Sequence, residues 1–445
     1  MNLKRKNSYQ AVLNMAFPVM LAQLGQISVG VIDNIMIGQL GTVELAAASF
    51  ANNIYNLAII FGMGFTFIIT PLIGMAIKKR GSGKSAALLE NGLIANIILG
   101  AVLTFFLMLL SLFFGHMGQA KEIVKPASHY FWLLNITTLP LMMFYTFKQF
   151  AEGTGDTKTG MTIVLMANVI NIIGNYTFMF GKLGFEPLGL NGAAIGTIMA
   201  RVFMVVAFVF VIKFQNRYNQ FLKGYGRAVI SKSQVVFILK KGFQVGVQMV
   251  TEASSFCLAG VMIGWMGKIG LAAYQVAMSL STLGFMVYQG MGAATTILVS
   301  HSWGEKLPDQ VRKVAGTVTR LIVPMALVMT LFFIVGRNWL PTIFSSDQEV
   351  RQMAGVFLII LGLYQLPDAL QIIYSAAVRG VADVKVPMYL TIISQIIITL
   401  PASYMFAFIF QYHQIGIWFG FPLGLTISFV FLYLRFRKVT KIQVR

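Results

Sequence analysis

Of the 14 Asp and Glu residues in this 445-residue chain, three lie well inside long apolar runs: Asp33, Glu252 and Asp368. Insertion scales put an Asp at a membrane-helix centre at roughly 2.5–3.5 kcal/mol, so such residues face a protein interior or a water path and mark ion or substrate routes. Glu252 sits in the middle of GFQVGVQMVTEASSFCLAGVMIG, Gly242–Gly264. Gln244, Gln248, Glu252 and Ser255 fall on one face of a 3.6-residue helix whose other faces are apolar. Asp368 follows Pro367 in GLYQLPDALQIIYS and shares a face with Tyr364, Gln371 and Ser375. Proline removes a backbone hydrogen bond and can kink the helix, and freed carbonyls beside a carboxylate suit a hard cation. Asp33 continues a stripe of Gln23, Gln26 and Gly30, and Asn168, Asn171 and Asn175 form a second stripe that could complete a polar cluster with it. The chemistry this favours is ion coupling. A proton or Na⁺ taken up at a buried carboxylate changes which conformation is favoured, and a substrate sharing that equilibrium is coupled to the ion. The structural alternatives are a buried hydrogen bond for Glu252 and Asp368, and an aspartate at the membrane interface for Asp33.

These residues must be positioned by the spans that carry them. The chain is 57% hydrophobic and 11% charged, against about 45–50% and 25% for a soluble domain, so it reads as an all-α polytopic membrane protein. Twelve runs are long enough to span: 10–36, 45–75, 88–115, 127–149, 160–182, 189–214, 238–265, 274–300, 315–339, 352–376, 387–410 and 415–436. The chain enters its first run directly after MNLKRKNSYQ, with no evident cleavage site, so that run is read as a span rather than a signal peptide. Of the 34 Lys and Arg, 27 fall in the termini and loops on one side, and six on the other: Lys121, Lys125, Lys182, Lys268, Arg337 and Arg351. That asymmetry places both termini in the cytoplasm, in a cytoplasmic or inner membrane. It also accounts for the net charge of +20 without a nucleic-acid partner. The remaining one, Arg201, lies in mid-span and needs a partner or a cavity.

The long polar connection at 214–237 divides the chain into two expected six-helix lobes, 1–213 and 238–445. They repeat each other. GTGDTKTGM, starting at Gly153, aligns with GVADVKVPM, starting at Gly380, at an offset of 227 residues. Pro140 pairs with Pro367 and Gly189 with Gly416. An even number of spans separates equivalent helices, so the repeat is parallel, with its site expected between the halves. The second span carries Ser49, Asn52, Asn53 and Asn56, and the eighth carries Gln275, Met278, Ser279 and Thr282. Both read as inward faces lining a cavity, or else as ordinary interhelical hydrogen bonding. The acids do not repeat: Gln26 stands opposite Glu252, Leu141 opposite Asp368 and Ala259 opposite Asp33. The lobes therefore share a scaffold and differ in their acidic sites.

Twenty-six Met and 37 Phe, among them Phe256, Met278 and Phe285, suit a lining that adapts to varied lipophilic cations. The one cysteine, Cys257, excludes an internal disulfide and is expected as a small buried hydrophobe. The four histidines lie at helix ends or in loops without metal spacing, and there is no phosphate-binding loop, nucleophile elbow or HExxH. Neither direct use of ATP nor an enzyme is expected.

The chain resembles multidrug and toxic compound extrusion (MATE) transporters, specifically the NorM-like subfamily. The resemblance covers essentially the whole chain. It rests on VIDNIMIGQLG at 31–41, EGTGDTK at 152–158, QMVTEASSF at 248–256 and LPDALQ at 366–371, together with the twelve spans. It implies two six-helix lobes in a V, opening alternately to each side, with drug efflux driven by inward Na⁺ or H⁺. Position by position, Glu252 and Asp368 match the C-lobe cation-site acids, with Tyr364 beside them. Asp33 matches the N-lobe acid, Asn171 and Asn175 match polar residues of that site, and Phe256 matches a cavity aromatic. Branches that couple in the N-lobe often carry a further acid on the fifth span. Asn171 and Asn175 stand there instead, which favours C-lobe coupling.

The expectation is a monomeric antiporter that exports amphipathic, mostly cationic compounds, with no covalently bound cofactor, Na⁺ or H⁺ as coupling ion and membrane lipids around it. Glu252 and Asp368 would hold Na⁺ if that is the ion. Asn168 joins the N-lobe polar cluster, and Gln248, Phe256, Gln275, Met278, Ser279, Asn52 and Asn56 line the substrate cavity. The alternative is a flippase of lipid-linked saccharide precursors, which would need a strongly basic cavity where only Arg201 is available. A scaffold or a channel is a more distant alternative.

Overall fold

The computed structural model describes residues 9–78, 83–222, 225–226 and 230–442. Twelve spans follow in order. The first six are α1 Tyr9–Gly38, α2 Thr42–Thr66 continued by Ile69–Ala76, α3 Gly83–Ser111, α4 Lys121–Ile136 with Thr138–Thr154, α5 Lys158–Gly174 continued by Asn175–Met179, and α6 Leu190–Phe214. The second six are α7 Lys232–Gly264, α8 Lys268–Gly304, α9 Pro308–Gly336, α10 Gln348–Gly380, α11 from Lys385 to Ile409, and α12 His413–Ile442. Eleven are unbroken enough to qualify as spans on length and composition. The twelfth, α4, is made of two shorter helices meeting at Thr137. With its backbone polar groups satisfied within each segment, an all-helical chain is what a bilayer permits.

The chain forms two compact units, Leu21–Gly246 and Val247–Arg445 with Met1–Met20. The division therefore falls within α1 and within α7, not at the connection between the six-helix halves. The unit that includes Met1–Met20 has a core in which Val12, Met15 and Ala16 pack with Tyr288, Met291 and Ala294. Gly290 lets α8 approach α1 there: a Cβ at that position would come within 3.0 Å of the Ala16 carbonyl oxygen.

The internal repeat is visible in backbone detail. In α5 a π-helical turn occupies Asn175–Met179, and in α11 one occupies Met405–Ile409. Gly192 of α6 packs so closely on the first turn that a Cβ would lie 2.5 Å from Phe178 and Met179 backbone atoms. Gly416 of α12 packs in the same way on Phe406 and Ala407. Leu188 N donates to Phe178 O at 2.9 Å, and Tyr412 N donates to Phe406 O at 3.0 Å. The structural counterpart of Gly416 is thus Gly192, not the Gly189 expected from the fixed offset. Gly189 matches His413 instead, both holding positive φ at the helix start. The shift arises because the loops before α6 and α12 differ in length.

The GTGDTK repeat is a loop anchor. Asp156 accepts from Thr159 N at 3.2 Å, Thr159 Oγ1 at 2.6 Å and Tyr218 Oη at 2.6 Å, and pairs with Arg217 at 3.1 Å. Asp383 accepts from Arg435 Nε at 2.7 Å. Each loop is thereby tied to residues near the end of the second span that follows it, just beyond α6 for Asp156 and within α12 for Asp383. Burial and the adjacent Asp156 carboxylate push the Tyr218 phenol up, keeping it a neutral donor.

Candidate ion and substrate sites

Among the described residues, each unit holds a polar cluster around its span carboxylates. In the first, α7 and α10 run side by side and are tied by two rungs. Gln248 Nε2 donates to Ser375 Oγ at 2.8 Å, and one turn along, Gln371 Nε2 donates to Glu252 Oε1 at 2.9 Å. Ser255 Oγ closes on the Glu252 carbonyl at 2.7 Å, so the hydroxyl of that face stays within its own helix. Asp368 lies within electrostatic range of Glu252 and of the Tyr364 and Tyr288 phenols. No hydrogen bond from the described residues reaches its carboxylate. Tyr364 Oη pairs with Ser281 Oγ of α8 at 3.0 Å, while its ring stacks on Trp418 of α12 at 14° and 6.2 Å. Tyr288 Oη donates to Gln365 Oε1 at 2.7 Å. Two carboxylates, two phenols and three amides thus converge on α7, α8 and α10. They supply oxygen ligands of the kind a hard cation takes, or proton acceptors.

α10 stays one continuous helix through Pro367. The break lies instead in the equivalent helix of the other half, at Thr137 in α4, three residues before Pro140. Proline is disfavoured in a helix interior but accommodated in a first turn, and Pro140 falls in the first turn of the second α4 segment.

The second cluster surrounds a cavity of about 570 Å³ within the unit Leu21–Gly246. Asp33 of α1 accepts a 2.6 Å hydrogen bond from Asn175 Nδ2, at the first residue of the α5 π-turn. Asn171 Nδ2 donates to Thr197 Oγ1 of α6 at 3.3 Å, and Asn168 Nδ2 to the Gly25 carbonyl at 2.8 Å. Asn52, Asn53 and Asn56 of α2 line the same cavity. The mid-span Arg201 lines it too. Its Nη1 donates to Tyr55 Oη at 2.5 Å and to Thr137 Oγ1, and its guanidinium lies 5.2 Å from the Tyr55 ring centroid. Arg201 therefore braces the break in α4.

The eighth-span stripe is not brought to either cluster. Ser279 donates to the carbonyl of Gln275 in its own helix at 2.9 Å, Gln275 and Ser279 are exposed, and Met278 packs on the apolar core. The neighbouring face, Ser281 and Tyr288, carries the contacts instead; its spacing around Gly284 was a readable signal. Phe256 stacks on Phe421 at 4.6 Å and 9°. Cys257 is exposed rather than buried, beside exposed Leu258. Lipid accepts a small apolar side chain as readily as a core does, so apolar character does not imply burial in a membrane chain.

One buried ion pair was not anticipated. Lys148 and Glu152 of α4 lie 3.6 Å apart with side chains 7% and 6% exposed. Lys148 is a buried helix residue, not one of the loop cations with which it was grouped, and Glu152 is not a solvated helix end. Their i,i+4 spacing was the available signal.

Twelve spans, with buried polar clusters on the helices of both compact units, are the architecture of a polytopic membrane protein. The MatE family model matches residues 18–177 and 245–405, one copy in each half, and the chain belongs to that family of multidrug efflux transporters. The Agrobacterium fabrum "Probable multidrug resistance protein NorM" is 25% identical over 98% of this chain and 95% of its own. The Photobacterium profundum "Multidrug resistance protein NorM" is 27% identical over 96% and 94%. Among solved structures, the Vibrio cholerae MATE transporter VcmN in its bent form superposes with a TM-score of 0.86 at 19% identity, covering 99% of this chain and 98% of its own. An outward-facing multidrug resistance MATE transporter of the MOP superfamily gives 0.88 at 20%, covering 100% and 98%. At these identities the structures establish the fold.

Proposed function

We propose that the protein is a monomeric antiporter of the cytoplasmic membrane, both termini in the cytoplasm, that exports amphipathic, mostly cationic organic compounds by alternating access in exchange for Na⁺ or H⁺. The observation that carries this reading is the placement of Glu252 and Asp368, from α7 and α10, in electrostatic range of each other beside Tyr364. Two carboxylates that interact electrostatically gain from sharing a proton or a cation between them. The Gln371 rung makes the state of Glu252 an element of α7–α10 packing. An ion that binds one arrangement of these helices more tightly biases the conformational equilibrium, by about 1–3 kcal/mol in typical coupled sites. The N-lobe cavity, lined by Asp33 and Asn171 with Asn175 bonded to Asp33, takes the organic substrate. The NorM relatives are named for multidrug resistance, which agrees with this substrate class.

Ethidium efflux from vesicles with an imposed ion gradient tests the proposal. Glu252→Gln combined with Asp368→Asn is expected to abolish gradient-driven efflux. Undiminished efflux from that double variant would sink the coupling assignment. Efflux driven by a pH gradient with Na⁺ absent identifies the proton as the coupling ion, whereas efflux that requires Na⁺ identifies Na⁺.

A further inference from the structure

The N-lobe cavity holds one positive charge that drug cation binding does not explain. Arg201 sits near the middle of α6, where an Arg is costly unless it has a partner or faces a polar cavity. Among the described residues no carboxylate lies within ion-pair distance of it. What fixes it is neutral. Nη1 is held by Tyr55 and Thr137, and the Tyr55 hydroxyl lies 3.3 Å from Thr138 Oγ1. Thr138 in turn donates to Asn135 Oδ1 at 3.2 Å, and Asn135 Nδ2 donates to the Thr104 carbonyl of α3 at 2.8 Å. One edge of the guanidinium is thus locked by a network reaching across α2, α3 and α4. The donors on Nε and Nη2 engage no described residue, and the residue lines the cavity. A guanidinium carries five donors in a planar fork that matches a carboxylate bidentately. Locking one edge aims the other with little entropy left to lose on binding. The cavity also holds Asp33, so its wall is dipolar: one carboxylate held by Asn175 and one guanidinium held by Tyr55. Asn52, Asn53, Asn56, Asn168 and Asn171 complete the lining with amides that either donate or accept.

From this geometry we propose that Arg201 is a specificity-determining residue: its free edge receives a carboxylate on the transported compound, and the N-lobe cavity prefers molecules carrying an anionic group as well as a cationic one over otherwise identical monocations. This rests on the substrate role of the cavity proposed above and narrows its class. About 570 Å³ is in the range of sites that enclose a drug-sized ligand.

The test uses the purified full-length protein in detergent and a matched pair of fluorescent dyes, rhodamine 110, a free acid, and rhodamine 123, its methyl ester. Fluorescence polarisation reads affinity without an ion gradient. The wild type is expected to bind the acid at least as tightly as the ester. Arg201→Gln is expected to weaken acid binding about tenfold, as for loss of a charge-assisted hydrogen bond, and to change ester binding by less than about threefold. Arg201→Lys, which keeps the charge and loses the fork, is expected to fall between. Equal loss for both dyes in Arg201→Gln and Arg201→Lys would reduce Arg201 to a brace for α4 and overturn the proposal. So would wild-type protein that binds the ester tenfold more tightly than the acid, a result that needs no variant to fold. Ethidium efflux measured in parallel separates the two readings. If efflux is normal while the acid-to-ester ratio ignores Arg201, only the specificity assignment fails; if efflux is absent altogether, the exporter reading fails first.

Discussion

Asn175 Nδ2 donates to Asp33 Oδ1 at 2.6 Å from the first residue of the π-helical turn in α5. The turn and the hydrogen bond belong together. A π-turn inserts one residue into the helical ladder and re-aims the side chains around it, and such turns concentrate at functional sites. Gly196 of α6 closes the arrangement from behind: a Cβ there would overlap Asn175 Oδ1 and lie 3.0 Å from Asn175 N. Gly196→Ala is therefore expected to pull Asn175 off Asp33. Asn175→Ala removes the same bond directly, at a cost of about 2 kcal/mol for a hydrogen bond to a carboxylate. The two variants should show matching losses of thermal stability in detergent and of ethidium efflux. A Gly196→Ala protein with wild-type stability and efflux would show that the close approach is not what places Asn175.

The helix pairs α5–α6 and α11–α12 supply a stricter comparison. Gly192→Ala and Gly416→Ala each set a Cβ about 2.5 Å from backbone atoms of the facing π-turn, where no rotamer change can relieve the clash. Each is expected to destabilise its unit by 3 kcal/mol or so, near the upper end of overpacking effects. Gly316 of α9, with nothing within 4 Å of its virtual Cβ, is the control. Gly316→Ala should be neutral or gain about 0.5 kcal/mol through helix propensity. Thermal melts of the three variants, read by intrinsic fluorescence, give the order directly.

Asp156 and Arg217 separate hydrogen bonding from charge. Asp156 accepts from Thr159 twice and from Tyr218, while Arg217 is 49% exposed on its side chain. Asp156→Ala should cost about 2–3 kcal/mol, because it strips several partners at once. Arg217→Ala should cost under about 1 kcal/mol, since solvent screens an exposed pair. A reversal of that order in denaturation midpoints would mean that the ion pair, not the hydrogen-bond set, anchors the α4–α5 loop.

Lys148 and Glu152 call for a double-mutant cycle. Both side chains are buried, and breaking a buried pair by removing one partner costs roughly 3–5 kcal/mol. Lys148→Met alone should therefore be severe, and the Lys148→Met, Glu152→Gln double variant should recover much of the loss. Strictly additive losses in thermal stability would remove the coupling between them.

How much of this was legible before the structure follows from which physics each residue obeys. The twelve spans and the two halves were readable, because bilayer thickness sets run length and the repeat preserves Asp156 and Asp383 at matching loop positions. The stripes Gln248–Glu252 and Asn168–Asn171–Asn175 were readable, because helical periodicity puts them on one face. The partner of Arg201 was not: Tyr55 and Thr137 lie 146 and 64 residues away in sequence, and neither is charged, so no pattern links them. Pro367 suggested an interruption that the chain does not make, since the α-helix runs from Gln348 to Gly380 through it. The Gly192–Gly416 equivalence was hidden by loop lengths that shift the register of the repeat. Cys257 was misplaced because the rule that apolar side chains lie inside loses its force when the solvent is itself apolar.

Tyr364 offers the narrowest test of the C-lobe cluster. Its ring is fixed by stacking on Trp418, and its hydroxyl pairs with Ser281 and lies in electrostatic range of Asp368. Tyr364→Phe keeps the stack and deletes only the O–H. If the phenol helps hold the ion or proton at Asp368, gradient-driven ethidium efflux should fall about tenfold, the equivalent of one hydrogen bond of about 1.4 kcal/mol. Ethidium binding to the detergent-solubilised protein should be unchanged, because the substituted group lies in the other unit from the cavity. Ser281→Ala leaves the phenol in place but frees it to turn, so a smaller loss in the same direction is expected. Efflux that is intact in Tyr364→Phe but lost in Tyr364→Ala would assign this residue to packing against Trp418 and leave Glu252 and Asp368 to hold the ion without it.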